Sequence, residues 1–136
     1  AVGMLHDVDY ERTSNDFLRH GLLSASIVEN FLPEIGLKAI RAHNPMTGVK
    51  AESRMEISLF AADAISGMIV AGALVRPTRL EGMKPKSLRR RMKDKSFARK
   101  VNRENIIRCE EIGLDLNTFL ALSIEAMQSV SDEIGL

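Results

Sequence analysis

The chain has 136 residues, which is enough for one domain with a sizeable buried core. Its 19 Lys and Arg residues against 18 Asp and Glu give a net charge of +1, so overall charge favours neither an acidic nor a basic partner. The single cysteine, Cys109, excludes an intrachain disulfide and a cysteine-based zinc cage. The first residues lack the pattern of a signal segment, and we expect a cytoplasmic protein.

The first half of the chain predicts helices, because apolar residues recur at i, i+3 and i+4 while alternating β-branched stretches are absent. The opening AVGML is typical of the end of a helix that reaches His6, and we expect further residues upstream. A polar loop over residues 7–19 precedes a helix over 20–31. A short helix begins at Pro33 and ends at the Asn-Pro-Met-Thr-Gly sequence of residues 44–48. The side chains expected to face inward are Leu23, Ile27, Phe31, Ile35, Ala39 and Ile40.

The second half predicts a long apolar helix over 52–75, a basic helix after Pro85, and helices over 103–112 and 116–130. Serines, glycines and one aspartate interrupt the apolar helix, which favours a buried core helix over a membrane span. The last helix repeats Leu116, Phe119, Leu120, Ile124 and Met127 on one face. The sequence therefore predicts an all-α, single-domain helical bundle over 1–136.

All three histidines of the chain stand where a metal site could use them. His6 is followed directly by Asp7, His20 opens a helical pattern, and His43 closes another. Each also has an ordinary explanation. A His-Asp pair can arise by chance, a histidine at a helix start can be a cap, and one at a helix end suits the helix dipole.

Asp63 interrupts the apolar run SLFAADAISGMIV. Its neighbours on a helix are Leu59, Phe60, Gly67 and Val70, so the pattern predicts a carboxylate on a buried face. Burying an ionised carboxylate without compensation is costly. Because no Lys or Arg lies within one turn, either a metal ion or a long-range salt bridge must compensate it.

Imidazole and carboxylate groups together are the usual protein ligands of divalent transition metals. Side chains that end or interrupt helical patterns can converge in the interior of a bundle and hold such an ion. A carboxylate can also bridge two ions, because each of its oxygens can bind one. The sequence therefore predicts a metal site formed by His6, Asp7, His20, His43 and Asp63.

The order His6-Asp7, His20, His43 and Asp63, together with the all-α pattern, resembles the HD superfamily of metal-dependent phosphohydrolases. The stretches LHDVDYERT, RHG, KAIRAHN and LFAADAISG make the chain most similar to the small bacterial HD-domain hydrolases often labelled HDIG. The resemblance spans nearly the whole chain. Its motifs are moderately specific for fold and metal and poorly specific for substrate.

The resemblance implies a hydrolase that cleaves a phosphate ester of a nucleotide or small phosphorylated metabolite with one or two divalent ions (Mn, Fe, Ni, Co, Zn or Mg). Asp7 matches the family's bridging ligand. Asp63 matches the last aspartate of the family motif, which together with His6 completes the ligand set of one metal ion. His20 and His43 match the extra histidines that hold a second ion. The family pattern begins with a further histidine that this chain lacks. Either an upstream segment supplies it, or the first metal position is incomplete.

A water activated by the metal would be the attacking group, so no nucleophilic Ser or Cys is required. We assign Asp7 and Asp9 to the catalytic group. Asp9, two residues past the doublet, could accept a hydrogen bond from a ligand or from the water, with surface solvation as the alternative.

Residues 84–103 contain ten basic residues and one acidic residue, a net charge of +9, whereas nine basic and seventeen acidic residues give the remainder −8. Three interpretations stay open. The segment is a solvated face, or Lys93 and Lys95 bind the substrate phosphates, or the patch attracts nucleic acid. Phe97 is the only aromatic residue inside the segment, which argues against a nucleic-acid partner.

Two rival functions remain beside the hydrolase. One is an HD fold that senses a nucleotide or a metal without turnover, which the missing histidine favours. The other is a helical domain that binds nucleic acid through residues 84–103. We expect a small phosphorylated partner and no membrane, and the sequence selects neither the substrate, the metal nor the oligomeric state.

Overall fold

The computed structural model describes residues 1–136, and every regular element in it is helical. The predicted all-α class is therefore confirmed. Backbone contacts divide the chain into two compact units, residues 1–60 and 61–136, which are described in turn. The single domain expected over 1–136 stays a prediction.

The α-helices follow one another along the chain, with two 3₁₀ helices among them. They are α1 (Val2–Leu5), α2 (Tyr10–Thr13), α3 (Leu22–Ile27), α4 (Glu34–Ala42), α5 (Arg54–Leu74), α6 (Pro85–Lys93), α7 (Arg103–Ile107), α8 (Leu116–Ser129) and α9 (Ser131–Ile134). The 3₁₀ helices are Pro45–Thr47 and Arg108–Ile112. The short helices α2 and α9 were not predicted.

In the first unit, α1 and α3 both pack against α4. α4 begins directly after Pro33, whose restricted φ suits a residue that precedes a helix. The interior of the unit is apolar, and hydrophobic burial is the main stabilising contribution there. Its buried members are Ala25, Val28, Leu37, Ala39, Ile40 and Leu59, with Val2, Leu5 and Leu32 against them.

The prediction of which side chains of α3 face inward is wrong. Ile27 and Phe31 are 40% and 79% exposed, whereas Ala25 and Val28 are buried. The helix covers only Leu22–Ile27 instead of residues 20–31, so fewer than two turns define its face. Ile35, also expected inside, is 54% exposed.

α5 is the 21-residue apolar helix predicted from the sequence, and it continues from the first unit into the second. By length and composition it is the one helix that could cross a membrane, and 56% of its most apolar 18-residue stretch is buried. A buried core helix satisfies the same criterion, so this composition is weak evidence for a membrane span.

In the second unit, the basic helix α6 packs against α8. Arg103 pins the loop between α6 and α7, because its guanidinium donates to the carbonyl oxygens of Ala98 and Val101 at 2.8 and 2.6 Å and also to that of Phe97. The buried core joins α5, α6, α7 and α8. Its members are Ala64, Ile65, Met68, Ile69, Ala73, Leu80, Met83, Leu88, Ile106, Leu120 and Ile124.

Candidate metal centre

The His6-Asp7 doublet lies in the turn that follows α1. His6 is the C-terminal cap of this helix, and its Nδ1 lies 2.8 Å from the carbonyl oxygen of Gly3. This contact fixes the ring, because a carbonyl oxygen only accepts hydrogen bonds and Nδ1 must therefore donate. The Asp7 side chain remains 45% exposed, which leaves one side of the doublet open to solvent.

Asp9 is buried, with no exposed surface, and holds His20 in place. Its Oδ1 lies 2.8 Å from Nδ1 of His20, and its Oδ2 accepts from the backbone N–H groups of Gly21 and Ser24, each at 2.9 Å. Burial raises the pKa of Asp9, but the hydrogen bonds from Ser24, His20 and Gly21 outweigh burial and lower the pKa. Asp9 is therefore ionised at neutral pH and accepts the Nδ1 hydrogen of His20.

Gly21 lets the chain pass close to His43. Its φ is +86°, a backbone conformation that residues with a side chain rarely adopt. A Cβ atom at this position would also lie only 2.8 Å from the carbonyl oxygen of Ile40 and 3.1 Å from Cε1 of His43. Only glycine therefore brings the start of α3 this near to the end of α4.

His43 is the C-terminal cap of α4, and a backbone carbonyl of the same helix orients its ring. Its Nδ1 lies 2.5 Å from the carbonyl oxygen of Ile40 and so donates to it. The next residue, Asn44, donates its side-chain amide to the carbonyl oxygens of Phe17 and His20 at 2.6 and 3.0 Å. Asn44 therefore ties the loop that carries His20 to the helix end that carries His43.

These supports bring the three imidazoles together around Asp7. Nε2 of His6 lies 3.3 Å from Oδ2 of Asp7, and Nε2 of His20 and of His43 each lie 3.3 Å from Oδ1. The two Nε2 atoms of His20 and His43 are 3.1 Å apart. Ligand atoms of His6, Asp7 and His43 all lie within 4.8 Å of one another.

The chemistry of these contacts requires a positive charge between the atoms. Because each Nδ1 donates to an oxygen, any of these imidazoles that carries no hydrogen on Nε2 directs the Nε2 lone pair toward the carboxylate. Acceptor atoms at such distances repel one another unless a proton or a metal ion lies between them. Nitrogen and oxygen ligands bound at about 2.0–2.1 Å in a tetrahedron are roughly 3.3 Å apart, which matches the spacing here.

The two oxygens of Asp7 divide the cluster into two sides, with His6 on one and His20 with His43 on the other. Partial burial raises the pKa of Asp7, but hydrogen bonding to His43 and the charges of His6, His43 and His20 outweigh burial and lower the pKa. Asp7 is therefore an anion at neutral pH, as a ligand of a divalent ion would need to be.

The structure brings together four of the five predicted ligands, His6, Asp7, His20 and His43, in the first unit. Asp63 belongs to the second unit and is exposed, so the expected buried face was wrong. The apolar run misled because α5 is apolar on nearly all sides, and the small residues Ala62 and Gly67 beside Asp63 are exposed as well. The role of Asp63 as a ligand stays a prediction.

The other predicted site residues have distinct outcomes. The carboxylate of Asp9 bonds a candidate ligand, His20, and its complete burial contradicts surface solvation. Both carboxylate oxygens already accept hydrogen bonds from the chain, which favours a positioning role over direct contact with a reacting water. Lys93 and Lys95 are exposed in the second unit, and their binding of substrate phosphate stays a prediction.

Sequence reasoning missed Gly21, Ser24 and Asn44, which position the two histidines without contacting Asp7. The dipeptide Asn44-Pro45 did indicate a helix break. It gave no sign that the amide would reach 24 residues back to the carbonyl oxygen of His20.

The chain was also compared with known proteins. No protein-family model, no curated protein and no solved structure matches it.

Proposed function

We propose that the protein is a metal-dependent phosphohydrolase that cleaves a phosphate ester of a nucleotide or small phosphorylated metabolite with an activated water. His6, Asp7, His20 and His43 would hold one or two divalent ions. One observation carries the proposal: three imidazoles with donating Nδ1 atoms direct their Nε2 atoms at the two oxygens of one carboxylate. Imidazole nitrogens and carboxylate oxygens grouped in this way are the set of ligand atoms that divalent transition metals bind.

The residues fit a divalent transition metal in type and spacing. Imidazole nitrogen and carboxylate oxygen together suit Zn, Mn, Fe, Co and Ni, whereas a purely oxygen site would favour Mg or Ca. Because Asp7 has His6 at one oxygen and His20 with His43 at the other, these residues would hold one or two ions. When bound, such ions lower the pKa of a water and offset the negative charge on phosphoryl oxygens.

The chain contributes orientation to this chemistry. The carbonyl oxygens of Gly3 and Ile40 and the carboxylate of Asp9 each fix one ring, so little reorganisation is needed when an ion binds. The exposed side of Asp7 provides access for a substrate. The proposal includes a cytoplasmic setting, and it does not depend on Asp63, Lys93 or Lys95.

The test combines metal retention with phosphate release. The protein is loaded with Mn²⁺, desalted and incubated with nucleoside monophosphates, sugar phosphates and p-nitrophenyl phosphate. We expect phosphate release by the wild type and none by Asp7→Ala, because that variant lacks the carboxylate common to both sides. Asp16→Ala is the matched control, since Asp16 is an exposed carboxylate of the same unit.

The outcomes separate the proposal from its rival. Metal retention without hydrolysis of any ester would favour a non-catalytic metal-binding or nucleotide-sensing module. Failure to retain any ion would contradict the metal centre itself. Equal activity in Asp7→Ala and Asp16→Ala would remove Asp7 from the reaction.

A further inference from the structure

The second unit contains a row of cations on one face of α6. Lys86, Arg89, Arg90 and Lys93 follow the i, i+3, i+4 and i+7 spacing that places side chains on one face of a helix. All four are exposed, and Lys84, which precedes the helix, is exposed as well. We call these five residues the basic row.

Charges of the basic row are not neutralised by the chain. None of the five cations forms an ion pair with a carboxylate, and the one side-chain hydrogen bond among them joins Arg89 to the neutral amide of Asn117 at 2.9 Å. Asp94, the only acidic residue of the segment, accepts hydrogen bonds from Ser96. Uncompensated cations this close together repel one another, so an external anion would stabilise them.

A depression of about 540 Å³ runs along this face, lined by the basic row and Ser87. The helical rise from Lys84 to Lys93 is about 14 Å. Duplex nucleic acid carries one charge per about 1.7 Å of its axis, so roughly eight phosphate charges pass over that length. A single phosphate group would contact only part of such a row, which favours a polymer of phosphates.

The apolar groups near the basic row are already occupied. Leu88 is 1% exposed and Met92 packs against the core, so α6 has no apolar face left to insert into a membrane. Phe97 packs against the same core, and the guanidinium of Arg91 lies 4.8 Å from its ring centroid. Phe97 is therefore not positioned to stack on an unpaired base.

We infer that the basic row binds the phosphate backbone of duplex nucleic acid without reading its sequence. The inference is independent of the proposed hydrolase, because every residue it uses belongs to the second unit. The scarcity of aromatic residues, which argued against nucleic acid at the level of the sequence, bears on base stacking and not on phosphate contacts.

Fluorescence anisotropy with a labelled duplex of about 20 base pairs tests the inference on the full chain. Counterion release by five phosphate contacts predicts a slope of about −4.5 for log K against log salt. A triple variant removes three of these contacts by combining Lys86→Gln, Arg90→Gln and Lys93→Gln. It should reduce the magnitude of the slope, to about −2, and weaken binding at least about tenfold at low salt. Arg89 is kept because of its bond to Asn117.

The matched control combines Arg12→Gln, Arg19→Gln and Lys50→Gln, which removes the same charge from exposed positions of the first unit. This control should bind as the wild type does, and a second duplex of unrelated sequence should bind equally well. Should the triple α6 variant lose its circular dichroism signal, Lys86→Gln and Lys93→Gln alone give the same test, each lowering the slope by about one.

Three results would overturn the inference. The first is equal weakening by the α6 variant and its control, which would show a general charge effect. The second is a wild-type salt slope near zero. The third is binding of poly-glutamate or phosphatidylserine vesicles as tight as binding of the duplex, which would assign the basic row to anions in general.

Discussion

The histidine cluster of the first unit and the basic row of the second are the two candidate binding sites of the chain, and they arise in opposite ways. The cluster joins His6, Asp7, His20 and His43 from three helix ends, and a hydrogen bond at Nδ1 holds each ring. The basic row comes from one helix and is exposed. The cluster groups imidazole nitrogens with carboxylate oxygens, which suits the proposed divalent cation, whereas the basic row presents cations, which suits the inferred phosphate backbone. The side chains that each unit presents therefore favour a different class of ligand.

Glu56 shows what a buried carboxylate looks like when the chain satisfies it. It is 1% exposed, and its Oε2 accepts from the backbone N–H groups of Glu52 and Ser53 at 2.7 and 2.8 Å. Its Oε1 lies 3.2 Å from Nζ of Lys38. Asp7 has no such lysine and faces three imidazoles instead, which is why a metal ion is expected at Asp7 and not at Glu56.

The largest effect is expected from Asp7→Ala, which removes the only carboxylate that the three imidazoles share. Metal binding, measured by titration calorimetry with Mn²⁺ or Zn²⁺, should be abolished, while helical content by circular dichroism should hardly change because Asp7 lies in a turn. Retained metal together with a collapse of helical content would show that Asp7 is structural and would remove the contrast with Glu56.

Acid titration should separate Glu56 from the cluster. Burial raises the pKa of Glu56, but hydrogen bonds from Ser53, Glu52 and Lys38 outweigh burial and lower the pKa to about 2 from an ordinary value of 4.5. A lowered pKa means that the stabilisation is complete above pH 4.5 and is lost as the pH falls toward 2. We expect a loss of about 3 kcal/mol in the free energy of unfolding over that interval.

Urea denaturation at a series of acidic pH values measures this loss. Glu56→Gln should flatten the dependence, whereas Glu29→Gln, at an exposed position of the same unit, should keep the wild-type profile. An unchanged profile in Glu56→Gln would show that other groups govern acid stability.

A smaller effect is expected from Asp9→Asn, which keeps the size of the side chain but weakens its support of His20. Loss of such a supporting carboxylate typically lowers metal affinity about 10–100-fold. Competition with a chromogenic chelator measures the affinity. Asp16→Asn is the control at an exposed position. Unchanged affinity in Asp9→Asn would mean that Asp9 serves the fold alone.

The smallest effect is expected from Asp63→Asn, because four other ligands already lie together in the first unit. The sequence resemblance predicts weaker metal retention, measured as the amount of metal left after dialysis. An unchanged stoichiometry and dissociation rate would remove Asp63 from the site and confine the metal centre to His6, Asp7, His20 and His43.

Much of the fold could be predicted because local signals mark its boundaries. Pro33 and Pro85 stand at the starts of α4 and α6, and Asp115 caps α8 through hydrogen bonds to two backbone N–H groups. The face of α3 could not be predicted, because a six-residue helix gives too short a pattern and its burial depends on α4.

The candidate site divides in the same way. Its histidines and Asp7 could be named from residue type and order, because few side chains supply imidazole and their order resembles a known family. Their mutual orientation could not be predicted. It depends on Gly21, which permits a close approach, and on Asn44, which bonds carbonyl groups distant in sequence. Such tertiary hydrogen bonds have no local signature.

Elemental analysis of the purified protein beside a His6→Ala variant, on this chain and on one extended upstream, tests whether the histidine cluster holds a metal ion. We expect one or two equivalents of a divalent transition metal in the wild type and a clear loss in the variant. Absence of metal from both lengths of the wild type, after loading with Mn²⁺ or Zn²⁺, would contradict this expectation.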